Sequence, residues 1–231
     1  MGAGRLGTRR EVSAPTGRLG ILGGTFDPIH VGHLALAEEV RETLDLVRVL
    51  FVPAGDPWQK AGTGVTPGAV RYALVERAIA DNRGFAASRL EIDRPGPTYT
   101  AETLADIADA ERAAGREPDL WFILSAEALA GLPTWRDPER VLALARLAVV
   151  PRAEDAEDLA MAAARFAADF PGEGHRAIFL PGPRLAISGT LIRARVAAGR
   201  SIRYLVPDAV AAAIGEYALY QPTAAFAAPE P

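Results

Sequence analysis

Two histidines three positions apart, His30 and His33, stand in the run Gly23-Gly24-Thr25-Phe26-Asp27-Pro28-Ile29-His30-Val31-Gly32-His33. Imidazoles donate hydrogen bonds and change charge near neutral pH, so such a pair can steady an anion, move protons or ligate a metal. The surroundings suit an anion. The apolar residues Leu19 to Leu22 read as a strand, the paired glycines let a guest approach the backbone, and Pro28 stiffens the exit. An apolar-periodic helix opens near Gly32, and its unpaired N–H groups and dipole attract negative charge. At a helix start, residues three apart project to one side, so both rings can face one phosphate. Ordinary capped or surface histidines remain an alternative on these residues alone. A metal pair is another, though no cysteine, no further histidine in the segment and no i,i+4 spacing supports zinc.

A second segment has the same grammar. Ala186-Ile187-Ser188-Gly189-Thr190-Leu191-Ile192-Arg193 reads as an extended stretch turning into a helix, with Ser188 or Thr190 as the cap. Arg193 falls on the first turn, where its planar fork can grip two phosphate oxygens. A plain cap with a solvent-facing arginine is the bland reading. Arg195, Arg200 and Arg203 read as solvated charges.

The dinucleotide fingerprint G-x-G-x-x-G is absent, because the glycines fall at Gly20, Gly23 and Gly24, and the lysine-bearing P-loop pattern is absent too. The eleven residues from Gly23 to His33 resemble the H-x-G-H nucleotidyltransferases of the α/β-phosphodiesterase type. That resemblance implies that Gly23, Gly24, Thr25 and Phe26 line an ATP site, with His30 and His33 steadying charge at the α-phosphate and the leaving pyrophosphate. The second segment is similar to the family's I-S-S-T-x-x-R, which puts Ser188, Gly189 and Thr190 at the phosphates and makes Arg193 catalytic. Gly189 departs from the pattern, where the family has serine. A lost hydroxyl weakens phosphate binding by about 1 kcal/mol, so restoring serine is expected to tighten ATP binding or leave it unchanged.

Three further segments resemble those of bacterial nicotinate mononucleotide adenylyltransferases, most closely the actinobacterial members through Pro57-Trp58-Gln59-Lys60. The resemblance implies that Lys60 binds the acceptor's phosphate and that the turn Gly96-Pro97-Thr98-Tyr99-Thr100 presents N–H groups to the nicotinate carboxylate. It stacks Trp135 on the pyridine ring. Glu127 stands where the family has the aspartate that binds a ribose hydroxyl, and Ser125 where it has glycine. On the residues alone, the turn is a cap at Thr98 or Thr100 and Trp135 is core. The implied reaction joins the adenylyl group of ATP to nicotinate mononucleotide, with Mg2+ carried in by ATP and Asp27 at most an outer contact to it. Another phosphorylated acceptor such as phosphopantetheine, or a nucleotide-binding protein without turnover, are the rival readings.

These residues need a frame that brings distant turns together. Short β-prone runs alternate with helical periods, the pattern of β-α units around a parallel sheet. Strands are expected at Leu19 to Leu22, Val47 to Val52, Arg89 to Ile92, Leu120 to Leu124, Leu147 to Val150 and Ile178 to Leu180. Helices are expected at Gly32 to Leu44, Gly68 to Ala80, Thr100 to Ala114, Pro138 to Ala145, Asp155 to Ala168, Thr190 to Ala198 and Asp208 to Tyr217. The expected fold is α/β, a single Rossmann-like domain with a mostly parallel sheet flanked by helices. It spans residues 18 to 220, between tails at 1–17 and 221–231 expected to be mobile. With 231 residues, 49% of them hydrophobic, one core suffices. The 25 basic and 29 acidic side chains argue against a nucleic-acid partner, and no apolar run is long enough for a membrane or a signal peptide. Without cysteine, no disulfide or thiolate chemistry is available. Cytoplasm is the expected compartment, and homo-oligomerisation is left open.

Overall fold

A computed structural model describes residues 17–55, 64–151 and 159–222. Six parallel strands form the sheet: β1 (Leu19–Gly24), β2 (Arg48–Pro53), β3 (Phe85–Ala87), β4 (Leu120–Ser125), β5 (Ala145–Val150) and β6 (Ala177–Phe179). Their order is β3-β2-β1-β4-β5-β6. The chain therefore builds outward from β1 in one direction, then crosses back to place β4 on the other side of β1. At that reversal the connections leaving β1 and β4 diverge, which opens a crevice at their carboxyl ends.

Strand residues alternate between two cores. Leu22, Phe51, Trp121, Ile123 and Val150 face α1 (Val31–Thr43), α2 (Gly68–Ile79), α8 (Gly189–Ala197) and α9 (Asp208–Glu216). Ile21, Val52, Phe122, Leu124 and Val149 face α4 (Thr100–Ala113), α5 (Ala126–Gly131), α6 (Pro138–Leu144) and α7 (Leu159–Asp169). Both faces of a central parallel strand are covered, so its sequence reads as an apolar run rather than an alternation. Gly20 fits the same logic, because a Cβ there would lie 2.8 Å from Leu46 and 3.1 Å from Val49.

One expected strand is corrected. Residues Leu90–Asp93 form a short helix, α3, and the strand lies earlier, at Phe85–Ala87. Local chemistry explains the difference. The Ser88 hydroxyl accepts from the Leu90 N–H at 3.2 Å, and Arg89 pairs with Asp93 one helical turn on at 2.8 Å. Such contacts favour a turn of helix over an extended edge. The helix α7 is seen from Leu159, and its expected start at Asp155 lies outside the described residues.

The crevice is shaped by a buried cation. Arg71 sits on the apolar stripe of α2 with Leu74, Val75 and Ala78, and is 1% exposed. Its guanidinium donates to the carbonyls of Thr66 (2.7 Å), Thr25 (2.6 Å), Ala54 (2.6 Å) and Gly55 (3.1 Å). One side chain thus gathers the turn after β1, the loop after β2 and the approach to α2. Burial pushes the guanidinium below its usual range, opposed by the Asp27 carboxylate and Tyr220, and arginine's high intrinsic pKa keeps it charged. Replacing Arg71 with methionine strands these carbonyls, and the expected loss of unfolding free energy is about 3 kcal/mol or more. Urea denaturation checks it: a midpoint close to wild type at an unchanged slope would contradict the role given to Arg71.

Candidate active site

At the carboxyl end of β1, Phe26 adopts φ 49°, a left-handed backbone that bulky residues rarely take. Its ring is buried, lies over Gly24, and meets His33 edge-on at 5.0 Å and Phe51 at 5.8 Å. The Phe26 side chain is a strut behind His33, and the residue as a whole is 2% exposed. Gly23 is exposed and Thr25 half-buried, and the Thr25 carbonyl is held by Arg71.

His30 caps α1, and the two imidazoles stack with centroids 3.7 Å apart and planes 23° from parallel. They do project to one side. His30 is nevertheless almost buried, at 6% exposure, while His33 is half-buried. The backbone N–H of His30 donates to Nδ1 of His33 at 3.3 Å, so a neutral His33 carries its proton on Nε2. Gly32 gives the stack room, because a Cβ there would crowd Nδ1 of His30 at 3.1 Å. The Val31-Gly32 spacer between the histidines thus serves packing as well as spacing.

The second helix start meets the first directly. Ser188 caps α8, accepting from the Leu191 N–H at 3.2 Å. Arg193 donates to the carbonyl oxygen of Asp27 at 2.7 Å and approaches the Thr190 hydroxyl at 3.4 Å. Two helix N-termini, distant in sequence, therefore converge beside one turn, each adding partial positive charge. A guanidinium has five N–H donors, so these contacts leave it able to grip an anion.

Gly189 is where the structure argues against a sequence expectation. A Cβ at this position would lie 2.7 Å from the Asp27 carbonyl oxygen and 3.2 Å from the Arg193 guanidinium. Serine here cannot add a hydroxyl without pushing α8 off the turn. Asp27 is also more deeply tied than an outer metal contact. Its carboxylate accepts from the Thr66 N–H (3.3 Å) and from the Tyr220 hydroxyl (2.7 Å), and the residue is 7% exposed. Burial and the bond to Asp27 push the Tyr220 phenol up, so it remains a donor throughout the neutral range. Among the described residues, no group of three or more His, Asp or Glu side chains is placed to hold a metal ion.

Across the crevice, Thr98 does not cap α4. Tyr99 is the cap residue, and the Thr98 hydroxyl instead donates to Glu91 at 2.9 Å. The other Glu91 oxygen accepts from Thr103 at 2.8 Å, so this carboxylate braces the turn and leaves its N–H groups at a helix start. Trp135 is half-buried, 6.1 Å edge-on from Phe122, and neighbouring Arg136 lies 4.5 Å over the Tyr99 ring. The two segments are thus side by side. Glu127 is exposed on the first turn of α5, directly after β4. Lys60 and Trp58 lie outside the described residues. Sequence reasoning missed Arg71, Glu91, Arg136 and Tyr220. Only Arg71 had a local signal, a charge on an otherwise apolar helical stripe.

Crevice, glycine turn and paired helix starts define a nucleotidyltransferase, and residues 21–195 match the cytidylyltransferase-like family. The comparisons with single proteins are narrower. A protein of Roseiflexus sp. named "Probable nicotinate-nucleotide adenylyltransferase" is 51% identical over 90% of this chain and 99% of its own length. One of the same name from Corynebacterium kroppenstedtii is 44% identical over 89% of this chain and 92% of its own. The chain belongs to the nicotinate-nucleotide adenylyltransferase family. Its fold matches the Plasmodium falciparum nicotinic acid mononucleotide adenylyltransferase complexed with NaAD, with a TM-score of 0.71 at 17% identity, over 88% of this chain and 97% of that one.

The close approach at Gly189 predicts that Gly189→Ser and Gly189→Ala both lower kcat/KM for ATP, by roughly tenfold or about 1.4 kcal/mol. The shared Cβ, not the hydroxyl, is the cause. Steady-state kinetics on the two variants checks this, and a serine variant that binds ATP more tightly than wild type would contradict it.

Proposed function

We propose that this chain transfers the adenylyl group of ATP to nicotinate mononucleotide, releasing pyrophosphate and forming nicotinate adenine dinucleotide. The observation that carries the reading is the convergence of the α1 and α8 N-termini, joined by the 2.7 Å bond from Arg193 to the Asp27 carbonyl. The ATP polyphosphate lies between them, along Gly23 to Thr25, the backbone of Phe26, and Ser188 to Thr190. His33 donates from Nε2, and His30 lends its imidazole to the same charge. Arg193 holds the departing phosphates.

A 5′-phosphate oxygen of the acceptor attacks the α-phosphorus. The bond to the bridging oxygen breaks in line, and the electron pair leaves with pyrophosphate. The chain's part is to position and to stabilise developing negative charge, which suffices for this class of transfer without a covalent enzyme intermediate. Mg2+ suits the chemistry as a partner of the ATP phosphates and water, neutralising charge there. Asp27, buried and accepting a protein hydrogen bond on each oxygen, is committed to holding the turn.

On the acceptor side, the N–H groups at Thr98 and Tyr99 receive the nicotinate carboxylate at the start of α4, and Trp135 stacks on the ring. Glu127 reaches a ribose hydroxyl and Lys60 the phosphate. A carboxamide would turn its NH2 toward an N–H donor, and such a mismatch costs about 1 to 3 kcal/mol. Nicotinate mononucleotide is therefore expected to be preferred over nicotinamide mononucleotide by at least ~10-fold in kcat/KM. Trp135→Ala should weaken both alike. Pyrophosphate release with each acceptor at saturating Mg-ATP measures this, and equal kcat/KM values would sink the carboxylate assignment. In the same assay His30→Ala is expected to lose roughly two to four orders of magnitude in kcat while staying folded. Near wild-type turnover would remove His30 from the reacting centre.

A further inference from the structure

The end of the described chain folds back onto the crevice. After α9 the backbone takes left-handed geometry at two non-glycine residues, Ala218 (φ 49°) and Tyr220 (φ 60°). Hydrogen bonds from Ala218 N–H to Gly215 and from Leu219 N–H to Ile214 hold this reversal, and Leu219 and Tyr220 pack on the core shared with α1, α2 and α8. Such backbone is costly and persists only where the surroundings over-determine it. Here it delivers one polar atom. The Tyr220 hydroxyl reaches Asp27, 193 positions earlier, with a 2.7 Å bond to Oδ1.

Asp27 is gripped at both ends. Its carboxylate is fixed by Tyr220 and by the Thr66 N–H, and its carbonyl oxygen is the acceptor for Arg193. Gly189 approaches that same carbonyl so closely that a Cβ would not fit. A small shift of Asp27 therefore moves the Arg193 acceptor and the seat of the α8 N-terminus together. Aligned phosphates tolerate little of that, since catalysis by positioning fails on sub-ångström errors.

We propose that Tyr220 is a positioning residue of the adenylyl-transfer site, its hydroxyl fixing Asp27 and, through the Asp27 main chain, the Arg193 guanidinium. The inference rests on the function proposed above. Tyr220 touches no reacting atom in this account, and removing its hydroxyl leaves its ring packing intact. The effect should fall on the ATP half of the site and spare the acceptor half across the crevice.

The test uses the full chain with Tyr220→Phe, Arg193→Ala and the double variant, with Mg-ATP and nicotinate mononucleotide as substrates. Tyr220→Phe is expected to lower kcat roughly tenfold, leave the acceptor KM within about twofold, and keep a cooperative thermal transition. In the Arg193→Ala background the same substitution should cost almost nothing, because residues acting as one unit are not additive. A wild-type kcat for Tyr220→Phe overturns the proposal. So does an equal tenfold loss in the Arg193→Ala background, or a loss shared equally by both substrates' KM values, which would mark a merely structural tyrosine. Should wild type form no dinucleotide, the functional reading fails by itself. Calorimetric titration with Mg-ATP then decides the tyrosine's role through the same cycle, non-additive weakening supporting it and additive or absent weakening overturning it.

Discussion

The carbonyl and carboxylate of Asp27 are the junction on which the site depends. Through one residue, the turn after β1 is tied to the approach to α2 by Thr66, to α8 by Arg193, and to the segment after α9 by Tyr220. Arg71 fixes the same turn from beneath by holding the Thr25 carbonyl. Asp27 and Arg71 are buried while Arg193 and Tyr220 are half-buried, so these bonds count for more than fully exposed contacts, and each lost partner costs accordingly. Such a network defines one geometry for two helix N-termini, and that geometry is what a polyphosphate would read.

The sheet order explains why these parts meet at all. A chain that starts at β1 and reverses at β4 places the two most central strands at the switch point, with the H-x-G-H turn on one rim and the α5 start on the other. Helices α8 and α9 then return to the α1 face, which carries Arg193 and Tyr220 back to a turn formed near the beginning of the sequence. The two halves of the crevice are braced by different side chains. Asp27 and Arg71 organise one, and Glu91, bonded to Thr98 and Thr103, organises the other. This separation is why a change at Tyr220 is expected to spare the acceptor.

Much of the frame was legible from periodicity, because central strands such as Leu120–Ser125 are unbroken apolar runs and helices such as Thr100–Ala113 keep a clean stripe. The misplaced edge strand came from a segment whose apolar residues, Leu90 and Ile92, alternate like a strand while Ser88 and the Arg89–Asp93 pair favour a helical turn. Local spacing also disclosed the histidines and Arg193, since motif residues lie close in sequence. It could not disclose Tyr220 or Glu91. Their importance comes from partners 193 and 7 to 12 positions away, which only the fold brings near. The crowding at Gly189 was hidden for the same reason, because the obstructing atom belongs to Asp27.

The central claim is that the chain acts by positioning two substrates for one direct displacement. The most direct test supplies nicotinate mononucleotide with Mg2+ and an adenosine α-thiotriphosphate of a single configuration at the α-phosphorus, then determines the configuration in the dinucleotide formed. A single in-line attack predicts inversion, with one pyrophosphate released per dinucleotide. Retention would reveal a covalent enzyme intermediate, and appearance of the label in a nucleoside diphosphate would reveal attack at another phosphorus. Either result would contradict the account.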